Sequence, residues 1–567
     1  MVSEVKTFHP ADYGVFGAVL AISAGIGVFH ALTGGRQRTT SEFLMANRDM
    51  RYLPVALSVL ASFFSASTLL GTPAEIYQYG TQYWISVFGA VLAPITGALL
   101  FGPLFFRLKL VSVFEYLELR FRSRTVRLFG ALIFLIRATL GMGIVLYGPS
   151  TALNAVTQFP VWGIILMLGG VCTFYTTLGG MKAVIWTDVF QTIVMLAGML
   201  AVFIQGCIKV GGLSRMWELA DMGGRIEFLN FDIDPHVRST FWSLIIGIYF
   251  VWLPPYTVDQ QMVQRFSSTK SLKEAKIALL LNVPGMFILI TLCSIAGLAL
   301  YANYANCDPL LNNDIRNPNQ LLPHFVMEIF GDLPGLPGLF VACLFSGGLS
   351  SVSSMLNSLS AVTWEDFLKP KFKNTSDQKA TWYIKLLAVI FGLLGIGMAF
   401  IVERMGGTVL QGALTGGIMG FAFPMWIGIG QYVNKPLDFK LPTTIEGCNI
   451  TNMTMSISTT TAQLPSQTLT PMTTGLNKLY GLSYLWFSAI GILLSVVLGL
   501  LYKQKVMEEN LAKEGNGKAV VIHNEYNDTR DTINLYERTQ QMVEPTDKQH
   551  TAETTTDSQQ KDRTDNV

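Results

Sequence analysis

The chain is 567 residues long, half of them hydrophobic and 14% charged, with a mean hydropathy of +0.41 and a formal net charge of +2. Such a composition excludes an ordinary soluble protein and points to an all-α polytopic membrane protein. A net charge so near zero says nothing about partners.

Apolar runs close to the roughly 20 residues needed to cross a bilayer recur along the chain. Twelve are expected, at about 11–33, 53–72, 84–106, 128–153, 161–178, 184–208, 241–258, 277–302, 336–363, 382–402, 412–432 and 482–502. Residues 1–10 carry Glu4 and His9 instead of a basic leader, so no secretory signal is expected. Basic residues crowd into alternate connections. Arg36, Arg38, Arg48 and Arg51 follow the first run, Arg107 to Arg127 the third, Arg265 to Lys276 the seventh, and Lys369 to Lys373 the ninth. The connections 73–83 and 154–160 carry no Lys or Arg, so the positive-inside rule sets the N-terminus outside.

Two long connections, about 303–335 and 433–480, are then expected outside the cell. The second holds glycosylation sequons at Asn449 and Asn452. Cys172, Cys207, Cys293 and Cys343 fall in apolar runs, which leaves Cys307 and Cys448 as an oxidisable pair and predicts a disulfide. Sequons at Asn374 and Asn527 lie in segments expected inside and are expected to stay unused. From Lys503 to Val567 the chain is polar and rich in Thr, Gln, Asp and Lys, the composition of a disordered tail that can carry scaffold contacts.

Four places put polar groups where lipid makes them costly. The run from Leu53 to Gly80 clusters Ser62, Ser65, Ser67 and Thr68 at mid-depth and reads as a broken helix whose freed carbonyls suit a hard cation; tight helix packing is the competing reading. Arg137 lies ten residues into the fourth run, able to anchor a carboxylate, to snorkel, or to pair with a buried acid. GGMKAVIWTDVFQ turns at Gly179 and Gly180 and carries Asp188 into the next run, as a functional acid or as a partner of its own helix dipole. SGGLSSVSSMLN, from Ser346 to Asn357, sets five serines and paired glycines inside a membrane-length run, which reads as a second interrupted helix holding sodium or as a packing face. Two interrupted spans set well apart in the chain are how inverted-repeat transporters build a midplane site. The six histidines show no metal-ligand spacing, and neither a phosphate loop nor a nucleophile elbow is present, so catalysis has no candidate.

Longer stretches resemble the sodium:solute symporter family: ASFFSASTLLGTPAEIYQYG, FEYLELRF, GIVLYGPSTALNAVT, GGMKAVIWTDVFQ, GLPGLFVACLFSGGLSSVSSMLNSLSAVTWEDFL and LSYLWFS, in collinear order over most of residues 11–502. The likeness is strongest to the branch that carries vitamins and monocarboxylates. It implies a LeuT-type bundle of two five-helix inverted repeats, with a core at about 50–432 and extra helices at 11–33 and 482–502. It further implies a sodium ion held by carbonyls of Ala61, Phe64 and Gly347 and hydroxyls of Ser350 and Ser351, with Asp188 on the ion's path to the cytosol. Solute would lie near Phe63, Ser67, Thr68, Tyr147 and Trp252. The sugar-binding pattern is not matched, and WLPPYTVDQ, from Trp252 to Gln260, departs from it. Arg137 is not expected from the branch.

The implied activity is sodium-coupled import of a small organic anion at the plasma membrane, with no enzyme activity, organic cofactor or nucleic-acid partner. One departure is large. Relatives carry another span between the equivalents of Gln411 and Gly412, where TVLQ here runs straight into GALTGGIMGFAFPMWIGIG. Without that span, Asn449 and Asn452 would fall inside and the tail outside. A splice or gene-model error, a non-transporting variant and a local rearrangement are the explanations open to the sequence.

Overall fold

In a computed structural model the described residues are 8–33, 37–157, 159–315, 317–404, 427, 440–448, 479 and 481–494, all within one compact unit. Among them the regular structure is helical, with one isolated β-bridge between Met50 and Thr269. The helices used below are α1 (Pro10–Leu32), α2 (Tyr52–Phe63), α3 (Ala66–Tyr79), α4 (Arg124–Thr157), α5 (Val161–Val210), α6 (Ile248–Thr257), α7 (Gln260–Ser267), α8 (Asn282–Asn303), α9 (Leu336–Val362) and α10 (Asp377–Arg404).

Seven stretches among the described residues are long and apolar enough to cross a bilayer, and α2 with α3, bent by 60°, makes an eighth. The difference from twelve has physical causes. The runs 161–178 and 184–208 are continuous in α5, whose 50 residues exceed one bilayer crossing; Gly180, at φ 58 and ψ −157, divides it. The run 241–258 yields a shorter apolar helix, Ser243–Thr257. The run 412–432 lies outside the described residues apart from Ile427, and 482–502 is described only to Leu494.

Helix α9 is the centre of the bundle: 89% of its most apolar window is buried, against 28–33% for α1, α4 and α10, whose apolar faces remain for lipid. It packs on α1, α2, α3, α4, α5 and α10. Glycines set those approaches. A methyl on Gly198 would lie 2.5 Å from Cys343 Cβ, and one on Gly338 would run into Asp12 O of α1.

The bundle has two distinguishable ends. At one, Asp12 at the start of α1 accepts the N–H groups of Gly335 and Gly338 (2.7 and 3.2 Å), and Tyr304 beyond α8 donates to Glu328 (2.8 Å). Cys307 and Cys448 are bonded there, with Cα atoms 5.0 Å apart, and the Gly447 N–H donates to Asn306 O. At the other end, Arg127 near the start of α4 holds Asp366 just past α9 (2.6 Å), and Thr40 beyond α1 donates to Asp377 at the start of α10 (2.8 Å). Asn449, Asn452, the remainder of the 433–480 connection and the tail from Lys503 lie outside the described residues.

Candidate ion and solute site

Between α2 and α3 the helix opens over two residues, Phe64 at φ −86, ψ 75 and Ser65 at φ −71, ψ 164. The chain re-enters a helix at once, and the Thr68 and Leu69 N–H groups donate to Ser65 O. Such a break strips carbonyls of their usual partners, and one of them, Ser62 O, accepts the Ser351 hydroxyl of α9 at 3.0 Å.

α9 itself differs from the expected second interruption: it is a continuous helix from Leu336 to Val362. The paired glycines serve close approach instead. A methyl on Gly347 would lie 2.8 Å from Phe64 O and 3.0 Å from Ala66 N, and one on Gly348 would lie 3.0 Å from Pro149 Cγ. Most of the serines bond back onto their own helix, Ser351 to Gly347 O (3.1 Å), Ser353 to Ser350 O (3.0 Å) and Ser354 to Ser350 O (2.5 Å). Among the described residues a second break lies earlier in the chain, between α6 and α7, at Val258 and Asp259. Pro254 and Pro255 there cannot donate to a helix ladder, and the Asp259 carboxylate caps α7 through the Gln261 N–H at 2.9 Å.

The five residues implied as sodium ligands therefore come together. Ala61, Phe64, Gly347, Ser350 and Ser351 are all buried, and Gly347 abuts the Phe64 carbonyl. Hydroxyls continue away from them: Ser350 Oγ lies 3.3 Å from Ser62 Oγ, which lies 3.0 Å from Ser354 Oγ and donates to Ser58 O at 2.8 Å.

Asp188 on α5 sits at the end of this run of hydroxyls and is fully buried. It accepts from Ser58 Oγ at 2.5 Å and from Arg265 Nη2 at 3.1 Å. Its partners are thus on α2 and α7, not at the start of its own helix. Arg265, read from the sequence as a loop charge, is a buried residue of α7. Its amphipathic surroundings, QQMVQRF, were the available signal.

Phe63, Trp252 and Tyr256 form an aromatic group beside the break, with ring centroids 4.8 Å apart for Phe63–Tyr256 and 6.0 Å for Phe63–Trp252. Ser67 faces α4, its Oγ 3.8 Å from where a methyl on Gly148 would lie, next to Tyr147; Thr68 is half-buried one residue on. Arg137 does not join this group. Ten residues of helix separate it from Tyr147, about 15 Å along α4, and it is paired with Asp259. Of the roles open to it, pairing with a buried acid is the one the geometry realises.

At the opposite side of the break, Arg238 holds Glu75 of α3 through two bonds (2.9 and 3.0 Å) and stacks over the Tyr79 ring at 4.0 Å. The buried Arg225 donates to the carbonyls of Gly223, Pro442 and Tyr77 (2.6, 2.8 and 3.3 Å) and lies over the Tyr301 ring. No sequence pattern singled out these two arginines.

A family model described as "Sodium:solute symporter family" matches residues 43–434. The chain is 42% identical to sodium-coupled monocarboxylate transporter 1 of Mus musculus over 88% of this chain and 87% of the relative, and 42% identical to the sodium-dependent multivitamin transporter of Oryctolagus cuniculus over 88% and 82%. A Na+-coupled sialic acid symporter, solved in a substrate-bound outward-open state, superposes with a TM-score of 0.64 at 27% identity, covering 74% of this chain and 87% of that one. These findings fit the all-helical bundle, its broken α2–α3 helix and its serine-lined centre: the chain is a multi-pass membrane protein of the sodium:solute symporter family, with the LeuT-type fold, and it is not an enzyme.

Proposed function

We propose that the protein is a sodium-coupled symporter that imports a small organic anion, a monocarboxylate or a carboxylate-bearing vitamin, by alternating access at the plasma membrane. Sodium binds at the α2–α3 break through the carbonyls of Ala61, Phe64 and Gly347 and the hydroxyls of Ser350 and Ser351. The observation that carries this is the junction of freed carbonyls with α9 hydroxyls, since carbonyl and hydroxyl oxygens suit a hard monovalent cation and such groups are costly in lipid unless used. The ion ties the broken helix to α9, and solute packs beside it against Phe63, Trp252, Ser67, Thr68 and Tyr147. Affinity for the anion rises when sodium is bound, and by reciprocity the anion tightens sodium by the same factor. Each net charge carried inward gains about 2.3 kcal/mol per 100 mV.

The names of the relatives support the anion class. Arg137, engaged with Asp259, reaches a carboxylate only by leaving that partner. The N-terminus lies outside and the tail in the cytosol, where it is free for scaffold proteins, with Asn449 and Asn452 glycosylated. Uptake of labelled lactate, biotin or pantothenate by cells making the protein tests the reading: at least one is taken up in sodium medium and not in choline medium. Equal uptake in both media overturns it.

A second reading, a non-transporting form acting as a sensor or partner, has one observation in its favour. The alignment with the mouse relative is 538 positions long, while 88% of this chain's 567 residues is about 499, so some forty positions have no counterpart here. The span that the resemblance implies between the equivalents of Gln411 and Gly412, about 30 residues with its turns, is of a size to account for most of that. Sequencing transcripts across codons 405–415 distinguishes an omitted in-frame segment of about 30 residues, close to one crossing with its turns, from a true loss.

A further inference from the structure

Arg265 is the buried cation nearest the ion site. Its side chain is 2% exposed and that of Asp188 fully buried. Each nitrogen of the fork is used: Nε donates to Ser58 Oγ (2.8 Å), Nη1 to Gln261 O (3.1 Å), and Nη2 to Asp188 Oδ2 (3.1 Å) and to Ser354 Oγ. Ser58 in turn donates to the same carboxylate oxygen.

An ion pair this deep is a poor device for stability, because two apolar side chains of similar volume serve as well without the desolvation cost. Its position gives it another use. Hydroxyls lead from the guanidinium to the ion ligands, Ser354 to Ser62 to Ser350, in steps of 3.0 and 3.3 Å. On the other side α7 ends against Met50, whose N–H donates to Ser268 O, and Arg48 donates to Ser267 O (3.3 Å). Those residues border the basic connections after Leu32 and Ser267, which the positive-inside rule assigns to the cytosol. Arg265 and Asp188 thus stand between the ion site and the cytosolic face.

We propose that Arg265 is a tethered counter-ion for Asp188 that latches the cytosolic side of the sodium site, so that sodium leaves inward by displacing this guanidinium from the carboxylate. While Arg265 is in place, Asp188 is neutralised and sodium is held by uncharged oxygens alone. When α7 swings away, the freed carboxylate draws sodium from Ser350 and Ser351 toward the cytosol. The two cations compete for one anion, which makes Arg265 a positioning residue for the ion and not a ligand of it.

The inference rests on the symport reading, and binding of radioactive sodium to the purified full-length protein without solute separates the two. Arg265→Gln leaves Asp188 available to sodium: half-saturation falls about fivefold or more and release of bound sodium slows by a similar factor. Arg265→Lys, which keeps the charge without the fork, falls between that variant and the parent. Asp188→Asn weakens sodium, and Arg265→Gln/Asp188→Asn returns toward the parent value. If Arg265→Gln fails to give monodisperse protein, Ser354→Ala, which removes one anchor of the guanidinium, shifts sodium affinity in the same direction by less. Unchanged affinity and release in well-folded Arg265→Gln overturns the latch, as does weakening equal to that in Asp188→Asn, or a parent protein that binds no sodium. Saturable sodium binding with the expected shifts, but no sodium-dependent uptake of lactate, biotin or pantothenate, overturns the anion symport reading and leaves the latch standing.

Discussion

Gly347 shows how a single side-chain position governs the proposed ion site. Its hydrogen is what lets α9 approach the opened backbone, and the atoms that would meet a methyl are main-chain atoms of Phe64 and Ala66, which cannot rotate aside. Gly347→Ala therefore separates the two halves of the site. Half-saturating sodium is expected to rise by about tenfold, the equivalent of a modest overpacking cost of 1–3 kcal/mol, while membrane yield stays measurable; an unchanged sodium dependence of uptake contradicts the assignment. The set Ala61, Phe64, Gly347, Ser350 and Ser351 was implied by the family resemblance; the residues alone pointed to the two stretches that hold it, because hydroxyls are costly in lipid and so stand out. Arg265 did not stand out. A basic residue just beyond an apolar run looks like every other loop charge, and beyond the amphipathic QQMVQRF it is the packing of α7 against α2 and α9 that shows it to be enclosed. Asp259 was hidden for a related reason, since its partner Arg137 is 122 residues away in the chain.

At the level of elements, apolar runs located the helices well, but breaks were harder to read. SGGLSSVSS looked interrupted and is not, because Ser351, Ser353 and Ser354 satisfy themselves on the preceding turn and the glycines remain helical where neighbours press closely. The paired prolines and capping aspartate of WLPPYTVDQ were the better signal, and they mark the α6–α7 break. Gly180 was read correctly as a bend, though α5 continues through it. Its φ of 58 and ψ of −157 belong to a region open almost only to glycine, and a methyl there would lie 2.7 Å from Phe43 O. Gly180→Ala is expected to cost on the order of 1–3 kcal/mol from the backbone alone, with the contact adding to it. A lowered midpoint in a detergent thermal-shift or aggregation assay measures this, and a midpoint equal to the parent's argues that the bend is dispensable.

Across the whole molecule, residues 440–448 are tied to the end of the bundle that holds Asp12 and Glu328. Beyond the disulfide, the Leu441 N–H donates to Gln78 O at the end of α3, the Asp308 N–H donates to Thr444 O, and Arg225 holds Pro442. Cys307→Ser or Cys448→Ser opens a closed loop of 141 residues and is expected to destabilise the fold by about 2–4 kcal/mol, read as a lower thermal midpoint; identical midpoints with and without reductant would show that the hydrogen bonds alone suffice. The pairing was predictable because four of the six cysteines fall in apolar runs.

The anchoring of Leu441 also limits how the chain can run before it. α10 starts at the Thr40 end and runs beside α4 toward the opposite one, so Arg404 and Lys440 face the same side of the membrane. Suppose the apolar run 412–432 carried the chain across. Eight residues, 433–440, would then remain for the return, and fully extended they reach about 27 Å, short of the roughly 30 Å of hydrocarbon even before any turn is made. The tether thus acts as a ruler: a form in which 412–432 spans the membrane needs one more helix between α10 and Lys440, and a protein carrying that helix is the one in which solute uptake is best measured first.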